Sequence, residues 1–277
     1  MEPFLKENYS FVSIITTDDY LPGLLVLYRS LIATNTRYSF LVLLTEDIST
    51  DTISILERQH IPYKIVKTKI NNPTDIDHGH RWFPTYSKLN VFDQTQYNKI
   101  VYLDADMLIL RNIDELFKYS HMSATNAGSM LPKKQDRRHL NLNSGLIVIQ
   151  PSQLLFNDMI SKIGKIEGLE SGGGDRPIHG SDQDFINAYF PEWPDRKELH
   201  LDHKYNIFHY HLDEYNKLFG YTIEDGPKPI SIVHYASYLK PWNIKSDEIN
   251  KMVNNQDKHL ELRAIQLWID RFNNINP

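Results

Sequence analysis

The stretch that decides the fold reads Lys99-Ile100-Val101-Tyr102-Leu103-Asp104-Ala105-Asp106. Its first half is apolar without polar alternation, which is typical of a strand buried on both faces of a parallel sheet. Ligands of open α/β sheets bind beyond the carboxyl ends of the strands, and the two aspartates leave this strand at that end. The stretch therefore predicts an α/β fold with a ligand site at Asp104 and Asp106.

Strands and helices alternate along the chain before this stretch, as a parallel sheet requires. The hydrophobic patterns predict strand 11–17, helix 21–33, strand 40–44, helix 49–59, strand 63–66 and helix 87–92. After the stretch they predict strand 142–150, a Gly-rich loop at 166–176, strand 230–234 and a terminal helix 260–272. We predict a Rossmann-like, mixed but mainly parallel sheet flanked by helices. Leu260, Ile265, Trp268 and Phe272 would anchor the terminal helix on the core.

Composition excludes several classes of function. The net charge of -5 argues against general nucleic-acid binding, which needs Lys and Arg to neutralise phosphates. The sequence has no Cys, which leaves Asp, Glu and His as metal ligands. The first residues lack a secretory signal and no apolar stretch reaches membrane-spanning length, so we expect a cytoplasmic protein without a membrane span.

Asp104 and Asp106 have the spacing that lets two carboxylates approach one hard divalent cation, with diphosphate oxygens as further ligands. The same pair could instead cap a solvated turn. It also resembles the D-x-D of haloacid-dehalogenase phosphatases, but in those proteins the motif usually opens the domain, whereas about a hundred residues precede it here. The sequence has neither G-x-G-x-x-G after the first strand nor a P-loop motif, so dinucleotide oxidoreductases and P-loop NTPases are disfavoured.

Several segments, taken in order, resemble the glycogenin-like members of glycosyltransferase family 8. Residues 97–117 resemble the family's D-x-D core, and residues 11–23 and 85–89 resemble its opening strand and its Lys-bearing segment. Asn143-Ser144-Gly145, the G-x-D-Q-like segment 180–187 and the H-x-x-G-x-x-K-P-W-like segment 234–242 follow. The resemblance implies a GT-A fold in one domain over residues 1–277. Its parts would be a nucleotide-binding half (11–117), a sugar and acceptor half (118–245) and a C-terminal helical segment (246–277).

The resemblance implies a Mn²⁺ site, with Mg²⁺ as a substitute, formed by Asp104, Asp106 and His234. Lys240 would contact the diphosphate of a UDP-sugar donor. The backbone of Ala105 would contact the ribose. The nucleoside pocket would be lined by Ile14, Thr16, Thr17 and Tyr20, with Tyr20 stacking on uracil.

The donor sugar would be surrounded by Lys88, Asn143, Ser144, Asp182 and Gln183. Among these, Lys88, Asp182 and Gln183 are the predicted catalytic residues, and Arg81 would cover the donor. Ser237 replaces a family Gly and would crowd or hydrogen-bond the diphosphate, and His179 replaces an acid. The family's self-glycosylated segment is altered here, which leaves Tyr210 and Tyr215 as candidate acceptors.

The resemblance implies a retaining transferase that moves a hexose, with glucose as first choice, from a UDP-sugar to an acceptor hydroxyl. The acceptor stays open among a glycan, a protein, a small molecule and the chain itself. Two alternatives remain: a sugar-nucleotide-binding protein without transferase activity, and a metal-dependent nucleotidyltransferase. We expect a homodimer from family likeness.

Overall fold

The computed structural model describes residues 8–66, 70, 85–127, 140–165, 181–237, 239–253 and 258–275. Its strands are β1 (Tyr9–Ile15), β2 (Ser39–Thr45), β3 (Tyr63–Val66), β4 (Lys99–Leu103), β5 (Met107–Ile109), β6 (Ala124–Asn126), β7 (Leu142–Ile149), β8 (Ile207–Phe208), β9 (Tyr221–Thr222), β10 (Lys228–Pro229) and β11 (Ile232–His234). Its helices are α1 (Leu21–Ile32), α2 (Thr50–Arg58), α3 (Gln153–Lys162), α4 (Asp182–Tyr189), α5 (Leu212–Phe219), α6 (Ser246–Val253) and α7 (His259–Asn273). In these ranges no helix is long and apolar enough to cross a membrane.

The central sheet has six strands in the order β3-β2-β1-β4-β7-β6. Strands β3, β2, β1 and β4 run parallel, whereas β7 runs antiparallel to both β4 and β6. The β-branched and aliphatic residues of β1, β2 and β4 are buried on both faces, as strands covered by helices require. The predicted mixed, mainly parallel sheet is confirmed, and β4 delivers Asp104 to its carboxyl edge.

A second, three-stranded sheet in the order β5-β11-β8 begins where the chain leaves β4. Strand β5 begins directly after Asp106, and β11 pairs with it antiparallel so that His234 lies opposite Met107. Strand β8 pairs parallel to β11 and places Phe208 opposite His234. This small sheet therefore carries residues from late in the chain to the end of β4.

Helix α7 packs back on the core, as predicted. Ile265 and Trp268 are fully buried, while Leu260 and Phe272 pack partly buried against the same cluster. Tyr235, the residue after β11, donates a 2.7 Å hydrogen bond from its hydroxyl to the carbonyl of Ala264. The last helix is thus tied to the strand that carries His234.

One predicted helix differs in type. Residues 87–92 lie in a 3-10 helix, Thr85–Asp93, rather than an α-helix. The Asn90 side chain donates to the carbonyl of Ser87, so it binds backbone within the helix's own turn. Such side-chain competition for backbone groups disfavours regular α-helix. The predicted Gly-rich loop at 166–176 lies outside the described residues.

Candidate active site

Three predicted metal ligands converge at the carboxyl edge of β4. Asp104, Asp106 and His234 each present a ligand atom, and these atoms lie within 4.8 Å of one another. His234 Nε2 is 3.1 Å from Asp106 Oδ1 and 3.8 Å from Asp104 Oδ2. A hydrogen-bonded strand pair brings them together, because Tyr235 N donates to the carbonyl of Asp106 over 2.9 Å.

The hydrogen bonds around His234 test whether this cluster fits a cation. Its Nδ1 lies 2.8 Å from Oδ1 of Asn206, an atom that can only accept, so Nδ1 carries the proton. Nε2 then faces two carboxylates, an arrangement that is favourable only with a proton or a cation between them. A Cβ on Gly145 would lie 2.6 Å from Cε1 of His234, so only glycine leaves room beside the ring. Two carboxylates and one imidazole suit a divalent ion such as Mn²⁺.

Lys240 lies on the other side of Asp106. Its ammonium donates to Asp106 Oδ2 and, over 2.7 Å, to the carbonyl of Tyr235. Burial disfavours the charged form of Asp106, but His234 and Lys240 outweigh it and hold the pKa of this carboxyl well below its usual range. Asp106 therefore stays ionised, with Oδ1 turned to His234 and Oδ2 to Lys240.

Lys88 is buried and forms ion pairs with two aspartates. Its ammonium contacts Asp182 Oδ2 at 2.7 Å, Asp104 Oδ1 at 3.0 Å and the Ser144 hydroxyl at 3.1 Å. Burial alone would lower the pKa of Lys88, but Asp104 and Asp182 raise it above its ordinary value. The ammonium that was predicted to meet the donor sugar thus also links one candidate metal ligand to Asp182.

The predicted sugar-side residues come together on β7 and at the start of α4. Helix α4 begins with a capping box between Ser181 and Asp184, which places Asp182 and Gln183 in its first turn. Asp182 Oδ2 accepts from the Ser144 hydroxyl over 2.9 Å, and Gln183 Oε1 accepts from the Asn143 amide over 3.1 Å. Side-chain hydrogen bonds between β7 and α4 therefore hold these residues together.

The predicted nucleoside residues lie at the end of β1 and the start of α1. Ile14 is buried in β1, whereas Thr16, Thr17 and Tyr20 follow the strand and are partly or fully exposed. The Tyr20 ring lies 5.9 Å from the Trp242 ring and 5.6 Å from the Lys240 ammonium. An aromatic ring and a cationic side chain thus lie beside Asp106, one of the candidate metal ligands.

Two other predicted donor contacts lie nearby. A Cβ on Gly23 would come within 2.7 Å of the carbonyl oxygen of Ala105, so α1 packs closely on the backbone between the two aspartates. Ser237 donates its hydroxyl to the carbonyl of Leu239 over 2.6 Å, a contact within its own loop. Arg81 lies outside the described residues.

The two candidate acceptor tyrosines differ in exposure. Tyr215 is 3% exposed, and its hydroxyl lies 3.4 Å from Nδ1 of His203. Tyr210 is 40% exposed, and its ring is 5.5 Å from Phe208, whose ring is 5.3 Å from His234. Tyr210 is therefore the more accessible of the two candidate acceptors, and Phe208 lies between its ring and that of His234.

Sequence reasoning missed two buried residues that hold the predicted ligands. Tyr102 donates its hydroxyl to Asp104 Oδ1 over 2.6 Å, and Asn206 contacts His234. Burial and the carboxylate of Asp104 raise the pKa of Tyr102 well above its ordinary value, so the hydroxyl keeps its proton. The position of Tyr102, two residues before Asp104 on the same face of the strand, was the available signal.

Comparisons with known proteins agree with this architecture. Inositol phosphorylceramide glucuronosyltransferase 1 of Arabidopsis thaliana is 27% identical over 255 residues, covering 86% of this chain and 43% of that protein. Mouse glycogenin-1 is 31% identical over 279 residues, covering 96% of this chain and 75% of glycogenin-1. The chain thus spans less than half of the plant enzyme but most of glycogenin-1.

The fold has a counterpart among solved structures. The galactosyltransferase LgtC, solved with donor and acceptor sugar analogues, superposes with a TM-score of 0.66 at 15% identity and covers 97% of this chain. This likeness supports the GT-A fold. The sequence profile described as glycosyl transferase family 8 matches residues 11–246, which is most of the 277-residue chain. The chain belongs to glycosyltransferase family 8.

Proposed function

We propose that this protein is a retaining glycosyltransferase that moves a hexose from a UDP-sugar to an acceptor hydroxyl with Mn²⁺. The observation that carries the proposal is the Asp104, Asp106 and His234 cluster, in which the Nε2 of a hydrogen-bonded histidine faces two carboxylates. Glucose is our first choice of donor sugar. The names of the relatives include glucuronosyltransferases and glycogenin-1, so the first experiment compares several donors.

The Asp104, Asp106 and His234 cluster and the side chains beside it would together hold a nucleoside diphosphate. When bound, the divalent cation would neutralise charge on the diphosphate oxygens as UDP departs. Lys240, held by Asp106 and the carbonyl of Tyr235, would supply a second positive charge at the same place. Tyr20, beside Trp242 and Lys240, offers an aromatic face to the uracil.

On the sugar side, Lys88 and Ser144 fix one oxygen of Asp182. Retention can proceed by same-face attack, in which the leaving phosphate accepts the proton, or by double displacement through Asp182. If Asp182 only orients the sugar, Asp182→Asn retains some hydrolysis of the donor. Complete loss of turnover with unchanged donor binding would favour the nucleophile.

The proposal is tested by incubating the purified protein with Mn²⁺ and a panel of UDP-glucose, UDP-galactose, UDP-glucuronate, UDP-xylose and UDP-N-acetylglucosamine. We expect UDP release from one donor, measured by a coupled assay, with calorimetry reporting donor binding. Asp104→Asn and Asp106→Asn should abolish release. Mass spectrometry of the protein before and after the reaction finds any sugar attached to the chain.

Matched controls identify the competing functions. Donor binding without turnover, with and without sugar acceptors, would indicate a sugar-nucleotide-binding protein. Pyrophosphate release from a nucleoside triphosphate and a sugar phosphate would indicate a nucleotidyltransferase. Absence of UDP-sugar binding in the wild type would overturn the proposal.

A further inference from the structure

A continuous row of amide hydrogen bonds links His234 to Gln183. Asn206 Oδ1 contacts His234 Nδ1 at 2.8 Å, and Asn206 Nδ2 donates to Asn143 Oδ1 over 2.7 Å. Asn143 Nδ2 in turn donates to Gln183 Oε1 over 3.1 Å. Asn206, Asn143 and His234 are buried, so water does not replace these bonds. We call this series, His234–Asn206–Asn143–Gln183, the amide relay.

Two backbone N–H groups fix the direction of the amide relay. Gly145 N donates to Asn143 Oδ1 over 2.9 Å, and Ser144 N donates to Gln183 Oε1 over 3.1 Å. A backbone N–H can only donate, so both facing side-chain atoms must be oxygens. Asn206 then turns its amino group to Asn143 and its oxygen to His234. The backbone of β7 therefore determines which nitrogen of His234 carries a proton.

The amide relay also orients Gln183. Its Oε1 accepts two hydrogen bonds, from Asn143 and from Ser144, which occupy both acceptor sites of that oxygen. Its Nε2 has no hydrogen-bond partner within the described parts of the chain, and the side chain is partly exposed. Gln183 therefore offers a donor group to a ligand, and its carbonyl oxygen is not available as a nucleophile.

We propose that Asn206 is a positioning residue that holds the Nε2 lone pair of His234 toward the cation and, through Asn143, turns the amino group of Gln183 toward the donor sugar. The proposal rests on the proposed function, because it takes His234 as a metal ligand. The Asn206 amide thereby orients both His234, a candidate metal ligand, and Gln183, which would face the donor sugar. Neighbours that orient a metal-bound histidine typically contribute 10–100-fold to affinity for the metal.

Three variants separate the two roles. Asn206→Ala removes the bonds to His234 and Asn143 together with a bond to Thr125. We expect it to weaken Mn²⁺ binding about 10–100-fold, measured from free Mn²⁺ by electron paramagnetic resonance. Asn206→Asp keeps an acceptor for His234 Nδ1 but places an oxygen against Asn143 Oδ1. It should retain Mn²⁺ binding and yet bind the UDP-sugar more weakly than wild type while binding UDP equally well. Thr125→Val, which removes only the 3.2 Å bond from Asn206 to Thr125, is the matched control.

The possible results distinguish a failure of this proposal from a failure of the proposed function. Wild-type Mn²⁺ affinity in Asn206→Ala, or equal losses in Asn206→Ala and Thr125→Val, would overturn the positioning role. If wild type binds no Mn²⁺, the proposed function fails. In that case ¹⁵N NMR of the His234 ring still tests whether the amide relay determines which ring nitrogen carries the proton. A protonated Nδ1 in wild type that becomes unprotonated in Asn206→Ala supports it, and an unprotonated Nδ1 in wild type contradicts it.

Discussion

At the scale of single residues, the site is a set of charges that stabilise one another in a buried place. Asp104 accepts from Tyr102 and Lys88, Asp106 contacts His234 and Lys240, and Lys88 also holds Asp182. Removing one member of such a set leaves its partner buried and unpaired, which costs more than the pair itself contributes. Single substitutions here therefore change stability as well as binding.

Lys88→Met should show this most clearly. It leaves Asp104 and Asp182 without the ammonium between them, and we expect a loss of about 3–5 kcal/mol in the free energy of unfolding. Urea denaturation measures the loss. Asp182→Asn in the Lys88→Met background should lose less than the two single variants added together, because one of the unpaired charges has gone. Strict additivity would contradict the coupling of Lys88 to Asp182.

His121 gives the fold a pH dependence away from the site. Burial between the rings of Phe92 and Phe190 lowers the pKa of His121 from 6.5 to about 4, and Nδ1 accepts from Gln150 N over 3.0 Å. Because the unfolded chain binds the proton more tightly, this contribution to stability is complete above pH 6.5. It is lost as the pH falls toward 4.

The measurement compares urea unfolding of wild type and His121→Asn between pH 7 and pH 4. Asn keeps an acceptor for Gln150 N but does not titrate, so stability should fall less steeply with decreasing pH, by up to about 1.4 kcal/mol per pH unit. His60→Asn, at an exposed position, serves as the control. An unchanged slope in His121→Asn would show that His121 is not responsible.

At the scale of elements, helix α1 sets the position of the backbone between the two aspartates. A Cβ on Gly23 would meet Ala105 O at 2.7 Å and the Trp242 ring at 2.8 Å. We expect Gly23→Ala to cost about 1–3 kcal/mol by overpacking and to weaken Mn²⁺-dependent UDP binding, because the carbonyl between Asp104 and Asp106 must move. Calorimetry with UDP and Mn²⁺ measures the binding, and urea unfolding measures the stability.

Gly220→Ala provides the matched control for Gly23→Ala. Gly220 ends α5 with φ +76°, and a Cβ there meets nothing within 4 Å. Its substitution should cost roughly 1 kcal/mol from the left-handed backbone conformation alone and leave UDP binding unchanged. Equal UDP affinities for the two variants would argue against a link between α1 and the site.

Several elements were predicted closely from the hydrophobic pattern of the sequence. Strand β3 was predicted with its observed bounds, and α1, α2, β7 and α7 within one residue at each end. Strand β11 was predicted as residues 230–234 and is observed at Ile232–His234. The short strands β5 and β8 carry too few residues to show a period, and they form because tertiary pairing brings them together. Helix α4 was not predicted as a helix, although its Ser181–Asp184 capping box was present.

The candidate site likewise contains residues that could be predicted from the sequence and residues that could not. Asp104 and Asp106 could be predicted from their place after a buried strand, whereas His234 came only from family resemblance. It lies 128 residues beyond Asp106 in sequence but pairs through β11. Asn206 and Tyr102 were missed because a buried polar side chain looks the same in a sequence whether it supports a ligand or ends a strand. Only the contacts distinguish the two.

At the scale of the whole molecule, both predicted halves share one sheet and one core. Strand β4 of the first half pairs with β7 of the second, and the larger core cluster runs from Phe11 in β1 to Ile275 after α7. One domain over residues 1–277, a homodimer and a cytoplasmic location stay predictions. The shared core bears directly on the first of these, because halves that bury each other's apolar surface should not unfold separately.

We therefore expect one cooperative unfolding transition, with coincident urea curves from far-UV circular dichroism and tryptophan fluorescence. Ile265 is buried in the core cluster that α7 shares with β1 and α1, so Ile265→Ala should cost about 2–5 kcal/mol while keeping Trp268 as the fluorescent reporter in α7. In a single domain that loss moves the whole transition to lower urea, and the two probes continue to coincide. If α7 instead unfolds by itself, fluorescence falls first while the dichroism of the central sheet persists at the wild-type midpoint. The latter outcome would make residues 246–277 a separate folding unit and would contradict the single domain.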